Sequence, residues 1–306
     1  MTAFIALLRK DLVLHFSNRR AVIMSFFAPI FIAAFFGSLF GGSGGAPSGA
    51  TTLPLVRGLL MQHVLAGLAG GAPGGLSGGL SGRAAGGPAF SAPFTTKETA
   101  STGRFEANYN GYAHSFAGMG VQFLLLMGVD MGLGLLLMRR MGLWQRLRAA
   151  PLSRATLLGS RIASGALITL IVFAGVYAVA YTAFGVRVEG SVAGFVAVLL
   201  AFSLLTATFG LLIAAIGRTP EATRGLAILA TLLMVMLGGA WVPTFIFPPW
   251  LQQVALFVPT YWAVEGLDAM TWRGLPFNAA VLPVGLLLAF SAAFAGLALW
   301  RFDWEE

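Results

Sequence analysis

Six long apolar runs constrain this chain more than any other feature, because each is long enough to cross a lipid bilayer. As a helix, about 20 apolar residues span the hydrocarbon core once. The runs cover residues 21–40, 116–138, 162–184, 192–216, 225–242 and 277–300. Only 10 % of the 306 residues are charged, which is too few to cover a water-facing surface. The sequence therefore predicts an all-α membrane protein with six transmembrane helices.

The positions of the basic residues predict which helix ends face the cytoplasm. With the N-terminus inside, the four inner segments hold 4, 6, 2 and 1 basic residues, which is 13 of the 19 in the chain. Cytoplasmic loops carry such an excess of Lys and Arg. We expect both termini to be cytoplasmic and the glycine-rich segment, residues 41–115, to be extracytoplasmic. The cations flank apolar runs and form no aromatic-rich basic patch, so nucleic acid is not an expected partner.

The first 20 residues predict an amphipathic helix that lies in the membrane interface. Apolar side chains recur at helical spacing, at Phe4, Ile5, Leu8, Leu12 and Phe16. Polar side chains are expected on other parts of the helix, at Arg9, Lys10, Asp11 and His15. An interfacial helix of this kind places its cations toward lipid headgroups.

Residues 243–274 predict a re-entrant hairpin on the outer side of the membrane. Prolines divide this segment into pieces that are too short to cross the bilayer at about 1.5 Å per residue. We expect two short helices, at residues 250–257 and 261–270. Glu265 and Asp268 share a face of the second helix, since they are three residues apart. They either line an exit path or cap helices and meet lipid headgroups.

Asp130 is a charged residue inside the second apolar run. A carboxylate at bilayer depth costs about 3 kcal/mol on insertion scales, so it must face protein, water or a cation. Two interpretations remain open: a carboxylate of a transport path, or a structural pair with Arg161 or Arg224. Gln122, two turns earlier on a similar face, favours a polar interior.

The inner loop, residues 139–161, carries a short segment suited to docking. Gly142 opens it and Pro151 closes it. In a helix, Leu143, Trp144 and Leu147 can share one apolar face while the arginines lie elsewhere. The full segment is Leu143, Trp144, Gln145, Arg146, Leu147 and Arg148. A helix with one aromatic anchor suits a groove on a soluble partner. The alternative is a basic loop that only fixes topology.

Other chemistry is poorly supported by the sequence. The only lysines, Lys10 and Lys97, lie in no phosphate-loop pattern, so ATP binding by this chain in the usual way is not expected. There is no cysteine. Histidines 15, 63 and 114 have no metal-site or triad spacing and are interpreted as surface or interface residues. We therefore expect no catalytic residues, no metal and no enzyme. Small residues in the spans indicate close helix packing, as at Gly128, Gly132 and Gly134.

Several segments together resemble the permease subunits of type-2 ABC transporters. The sequence GLWQRLRAAPLSRATLLGSR, residues 142–161, is similar to the coupling loop of that family. The segment LGGAWVPTFIFPPWLQQVALFVPTYWAVEGLDAM, residues 237–270, is similar to its outer hairpin. YNGYAHSFAGMGVQF, residues 109–123, resembles the start of its second span, and residues 4–16 resemble its connecting helix. Only about residues 43–105 lie outside the resemblance, and their glycine-rich sequence departs from the more ordered loop that is frequent in this subgroup.

This resemblance implies a single membrane domain, residues 1–306, that pairs with a second permease subunit, identical or related. Each subunit would dock a cytoplasmic ATPase that binds ATP and Mg²⁺, so no cofactor is expected in this chain. The implied function is outward transport of a drug, lipid, polysaccharide or ion across a bacterial plasma membrane. The alternative is an ion-coupled secondary transporter that uses Asp130, but such carriers are built from inverted repeats with paired broken helices, and only one broken region is present.

Overall fold

Helices account for nearly all of the regular structure in the computed structural model, which describes residues 2–41, 109–142 and 154–301. Within these ranges there are nine α-helices and one short 3-10 turn at Thr244–Ile246. In chain order the α-helices are α1 Thr2–Ser17, α2 Arg19–Gly41, α3 Gly111–Arg140, α4 Arg154–Phe184, α5 Val192–Ile216, α6 Pro220–Leu237, α7 Pro249–Ala255, α8 Pro259–Met270 and α9 Asn278–Arg301.

Six of these helices are long and apolar enough to cross a membrane, as the sequence predicts. They are α2, α3, α4, α5, α6 and α9. The fourth predicted run, residues 192–216, coincides with α5. Other boundaries differ: α3 begins at Gly111, inside the predicted loop 41–115, and α4 begins at Arg154, inside the predicted loop 139–161. Residues between 41 and 109 and the centre of the inner loop lie outside the described ranges.

Helices α6, α7 and α8 all begin at prolines that lie outside the predicted helices. Pro220 is the first residue of α6, five residues before the predicted run 225–242 begins. Proline suits this position because its fixed φ is helical and its missing N–H would be unpaired anyway. The Thr219 side chain caps the helix by accepting from the N–H of Ala222 at 3.4 Å. Pro249 and Pro259 begin α7 and α8 in the same way.

Helices α3 and α5 form the centre of the bundle. Helix α5 packs against α3, α4, α8 and α9, whereas α3 also contacts α2 and α6. The core between them is apolar, with Phe116, Leu124, Phe173, Phe202 and Leu205 buried. Helices α2 and α6 lie at the periphery and leave many apolar side chains exposed, which suits contact with lipid or another membrane subunit.

Glycines set the distance between the two central helices. A Cβ atom added at Gly132 of α3 would overlap the carbonyl oxygen of Gly210 on α5, and one added at Gly210 would overlap that of Gly128. Backbone therefore packs against backbone, as the sequence predicts for Gly128 and Gly132. Gly134 is different, because an added Cβ atom would meet no atom within 4 Å.

One end of the bundle is closed by two turns that pair through backbone hydrogen bonds. The N–H groups of Glu189, Gly190 and Ser191 donate to the carbonyl groups of Thr271, Met270 and Leu275 at 3.0–3.2 Å. These turns join α4 to α5 and α8 to α9. In the predicted topology this is the outer end, and α1 lies at the opposite end.

Candidate functional site

Asp130 lies on an exposed face of α3 and pairs with Arg224 near the start of α6. Arg224 Nη2 lies 3.0 Å from Asp130 Oδ1, and the two side chains are 61 % and 67 % exposed. Arg161 and Arg224 are the two partners of Asp130 considered from the sequence, and Arg224 is the one that contacts it. An exposed ion pair within membrane-spanning helices is costly in lipid, so this face requires water or a further protein surface.

Gln122 extends this polar face by two helical turns toward the other end of α3. Its side-chain oxygen accepts a hydrogen bond from the Trp241 indole N–H. Trp241 lies four residues after the end of α6. The Asp130–Arg224 pair therefore joins α3 to α6, and the Gln122–Trp241 hydrogen bond joins α3 to the segment that follows α6. We call Gln122, Asp130, Arg224 and Trp241 the α3–α6 polar stripe.

Glu265 and Asp268 each pair with a different residue of this chain. Asp268 Oδ2 accepts from Nδ1 of His114 at 2.7 Å, and both side chains are about 4 % exposed. Glu265 instead pairs with Arg273, in the turn that follows α8. Both acidic side chains therefore bind cationic or N–H groups within the protein.

The His114 environment corrects the interpretation of that residue from sequence. This histidine, interpreted from sequence as a surface or interface residue, is buried where α3 begins, beside the Tyr109 ring, which in turn contacts the Trp272 ring. Burial raises the pKa of Tyr109, and the negative charge of Asp268 raises it further. Among the described residues, Nε2 of His114 and Oδ1 of Asp268 are buried without a hydrogen-bond partner. The pair thus joins α3 to α8.

A second, partly buried cluster lies at the other end of the bundle, between α1 and α4. Arg161 Nη1 donates to Asp11 Oδ1 at 2.7 Å, and the Ser164 hydroxyl donates to Asp11 Oδ2 at 2.9 Å. Asp11 and His15 therefore face the protein, which differs from the charged surface predicted for α1. Sequence spacing misses this because α4 is approached both by an apolar residue of α1, Phe4 near Gly159, and by the polar Asp11 at Arg161.

The predicted docking segment lies largely outside the described residues. Gly142 is the last one described after α3, and its φ of +69° is the left-handed conformation that glycine adopts most readily. Residues 143–153 are not described, so the docking role of Leu143, Trp144, Gln145, Arg146, Leu147, Arg148 and Pro151 stays a prediction. Nearby, Arg140 Nη2 donates to the carbonyl oxygen of Arg218 at 3.0 Å, which joins α3 to the turn before α6.

Comparison with known proteins assigns the chain to a class. A sequence model described as ABC-2 type transporter matches residues 2–272. The linearmycin resistance permease protein LnrN of Bacillus subtilis is 30 % identical over 200 residues, 65 % of this chain and 52 % of that protein. The inner membrane transport permease YhhJ of Escherichia coli is 28 % identical over 173 residues, 56 % of this chain and 46 % of that protein. The chain spans about half the length of these relatives. No solved structure matches it.

Proposed function

Because this chain belongs to the ABC-2 type transporter family, we propose that it is the permease subunit of an ATP-driven exporter, powered by a separate cytoplasmic ATPase. The family match and the permease relatives support membrane transport. The basic inner loop, residues 139–161, supports a partner that supplies ATP hydrolysis. In this proposal α1 lies in the inner interface as the connecting helix, and residues 243–274 form the outer re-entrant hairpin.

The observation that carries the transport path is the α3–α6 polar stripe. Exposed charges at membrane depth do not face lipid when another surface can cover them. A second permease subunit that packs over this face would enclose Gln122, Asp130, Arg224 and Trp241 in an interface that water and substrate can enter. The proposed path therefore runs between two subunits, with Glu265 and Asp268 holding the outer end of each subunit together.

Two variants test whether Asp130 belongs to the transport path: one neutralises its charge, and the other exchanges the charges of Asp130 and Arg224. We expect Asp130→Asn to lower ATP-dependent transport in reconstituted vesicles about tenfold or more, because Arg224 then lies unpaired in the path. The Asp130→Arg/Arg224→Asp double variant should recover most of the activity. Stability of the isolated subunit should change by less than about 1 kcal/mol, since an exposed pair contributes little.

The control for Asp130 is Glu189→Gln, an exposed carboxylate in the outer turn after α4. If the Asp130→Asn variant transports as fast as the parent chain, the α3–α6 polar stripe is not part of the transport path. Transport that follows an ion gradient and ignores ATP would instead favour a secondary transporter.

Docking of the ATPase is tested by co-purification. The Trp144→Ala/Arg146→Ala double variant should retain about a tenth or less of the ATPase captured by the parent chain, because an aromatic anchor and an arginine are typical hot spots of interfaces. The matched control is Trp250→Ala/Arg187→Ala, which removes an exposed tryptophan and an exposed arginine at the opposite end of the bundle. Equal capture by both double variants would contradict the docking role.

The transported compound is the remaining part of the proposal. The Bacillus subtilis relative is named for resistance to linearmycin. We therefore place antimicrobial compounds first among the candidate substrates, before lipids, polysaccharides and ions. Growth of a deletion strain on a panel of such compounds, with and without the gene, is the direct assay.

A further inference from the structure

A cavity of about 300 Å³ lies between α1, α3, α4 and α5, at the end of the bundle where α3 ends and α4 begins. This volume is at the lower end of the range of ligand pockets, about 300–1,000 Å³. The α3–α6 polar stripe contributes no residue to the lining of this cavity. The cavity is formed within one subunit and needs neither a second permease nor an ATPase.

The cavity is polar at one end. Asp11 and His15 of α1 and Arg161 and Ser164 of α4 contribute to its lining. Both Asp11 oxygens accept hydrogen bonds, from Arg161 and from Ser164. Among the described residues, the second terminal nitrogen of Arg161 reaches only the Met138 sulfur at 3.7 Å, and a thioether is a weak acceptor. Nε2 of His15 is buried without a partner among the described residues.

The other end of the cavity is apolar. It is lined by Met131 on α3, Ile168 on α4 and Ala207 on α5. Met131 lies seven residues before Met138 on α3, and Ile168 lies seven residues after Arg161 on α4, so both are displaced from the polar end in the same direction. Seven residues correspond to about 10 Å of helix. The cavity therefore offers polar groups at the predicted inner surface and apolar walls toward the bilayer centre.

The charges of this cavity select against an ionic ligand. Asp11 and Arg161 neutralise each other, and burial lowers the pKa of His15, which favours its neutral form. A charged headgroup would lose its hydration without gaining an opposite net charge. A hydroxyl or ester carbonyl, by contrast, can accept from Arg161 and exchange a hydrogen bond with His15.

We propose that this cavity binds an uncharged amphiphile, with its hydroxyl or carbonyl head at Arg161 and His15 and its chain along Met131 and Ile168. A glycerolipid of the inner leaflet and an amphiphilic solute present the same chemistry. Either would enter in the orientation that bilayer lipids already have, with the head at the inner surface.

Photolabelling in phosphatidylcholine nanodiscs tests the site. The probe is a monoacylglycerol with a medium-length chain and a terminal diazirine, competed by unlabelled 1-octanoylglycerol. Labelled peptides should come from the apolar end of the cavity, in α3, α4 and α5. Probes with the same chain on a phosphate or a trimethylammonium group should label this site about tenfold less.

Substitutions test whether the photolabelling comes from the cavity or from the rest of the lipid-facing surface. Gly134→Leu places a side chain on a residue that lines the cavity and has open space around its Cβ position. It should weaken labelling about tenfold. Gly296→Leu is the matched control, because Gly296 of α9 has equally open surroundings and lies outside the cavity lining. His15→Phe keeps an aromatic ring and should weaken labelling about fivefold through loss of one hydrogen bond.

Addition of a small fraction of diacylglycerol to the nanodiscs distinguishes the source of the ligand. Suppressed labelling supports a membrane lipid, and unchanged labelling supports a soluble amphiphile. Equal labelling of the Gly134→Leu and Gly296→Leu variants would overturn the site. Equal labelling by the charged probes would overturn the ligand class. Neither result would bear on the Asp130 path, which is measured by transport.

Discussion

Replacement of Gly132 by alanine is expected to lower the free energy of unfolding by about 3 kcal/mol, the upper end of the usual cost of overpacking. The added Cβ atom would overlap the carbonyl oxygen of Gly210 on α5. Backbone atoms cannot move away by a change of rotamer, so α3 and α5 must separate. These are the two central helices, and their separation would loosen contacts along the whole bundle.

Gly134 provides the matched control on the same helix, two residues later. Its added Cβ atom meets nothing within 4 Å, so Gly134→Ala should leave packing unchanged and stabilise α3 by up to about 1 kcal/mol through helix propensity. The measurement is denaturation of both variants by SDS in mixed micelles. Equal stability of the two variants would show that α3 and α5 are further apart than the structure has them.

The membrane-spanning helices could be predicted from sequence because the hydrocarbon core of the bilayer cannot hydrogen-bond to an exposed backbone. A run of apolar residues about 20 long has to form a helix in hydrocarbon, whatever its neighbours are. The six predicted spans are therefore present, and α5 has the predicted boundaries. The start of α6 at Pro220 does not follow from the sequence alone, since proline suits the first turn of a helix as well as it breaks the interior.

The partners of the polar residues could not be predicted from hydropathy. The His114–Asp268 contact joins residues 154 positions apart, and the Asp11–Arg161 contact joins residues 150 apart. Apolar spacing indicates which depth a residue occupies, but it does not indicate which helix faces it. For Asp130 the sequence leaves Arg161 and Arg224 open, and only packing of α3 against α6 selects Arg224.

Three of the four pairs between acidic and basic side chains in the described residues have different environments and so different expected roles. Asp130–Arg224 is exposed at membrane depth and suits a path between subunits. Asp11–Arg161 lines a cavity within one subunit and neutralises its polar end. His114–Asp268 is buried beside the Tyr109 ring and contributes to neither, so we expect it to hold α8 against α3. The order of burial predicts the order of their effects on stability.

His114→Phe is expected to lower the free energy of unfolding by about 3 kcal/mol. The Asp268 carboxylate, 3 % exposed as a whole residue, would lose its 2.7 Å hydrogen bond and remain buried. Removal of one member of a buried pair is costly because the other charge is left uncompensated. Phenylalanine keeps the ring that contacts Tyr109, so the loss reports mainly on the polar contact.

A double-mutant cycle separates this contact from packing. The His114→Phe/Asp268→Leu variant buries no unpaired carboxylate, so it should lose at least about 1 kcal/mol less than the two single variants together. Arg224→Ala is the exposed control and should cost less than about 1 kcal/mol under the same denaturation by SDS. Additive losses in the cycle would mean that His114 and Asp268 act independently. In that case α8 would be held to α3 by apolar packing alone, through residues such as Val264 and Leu267, which are buried at the same end of the bundle.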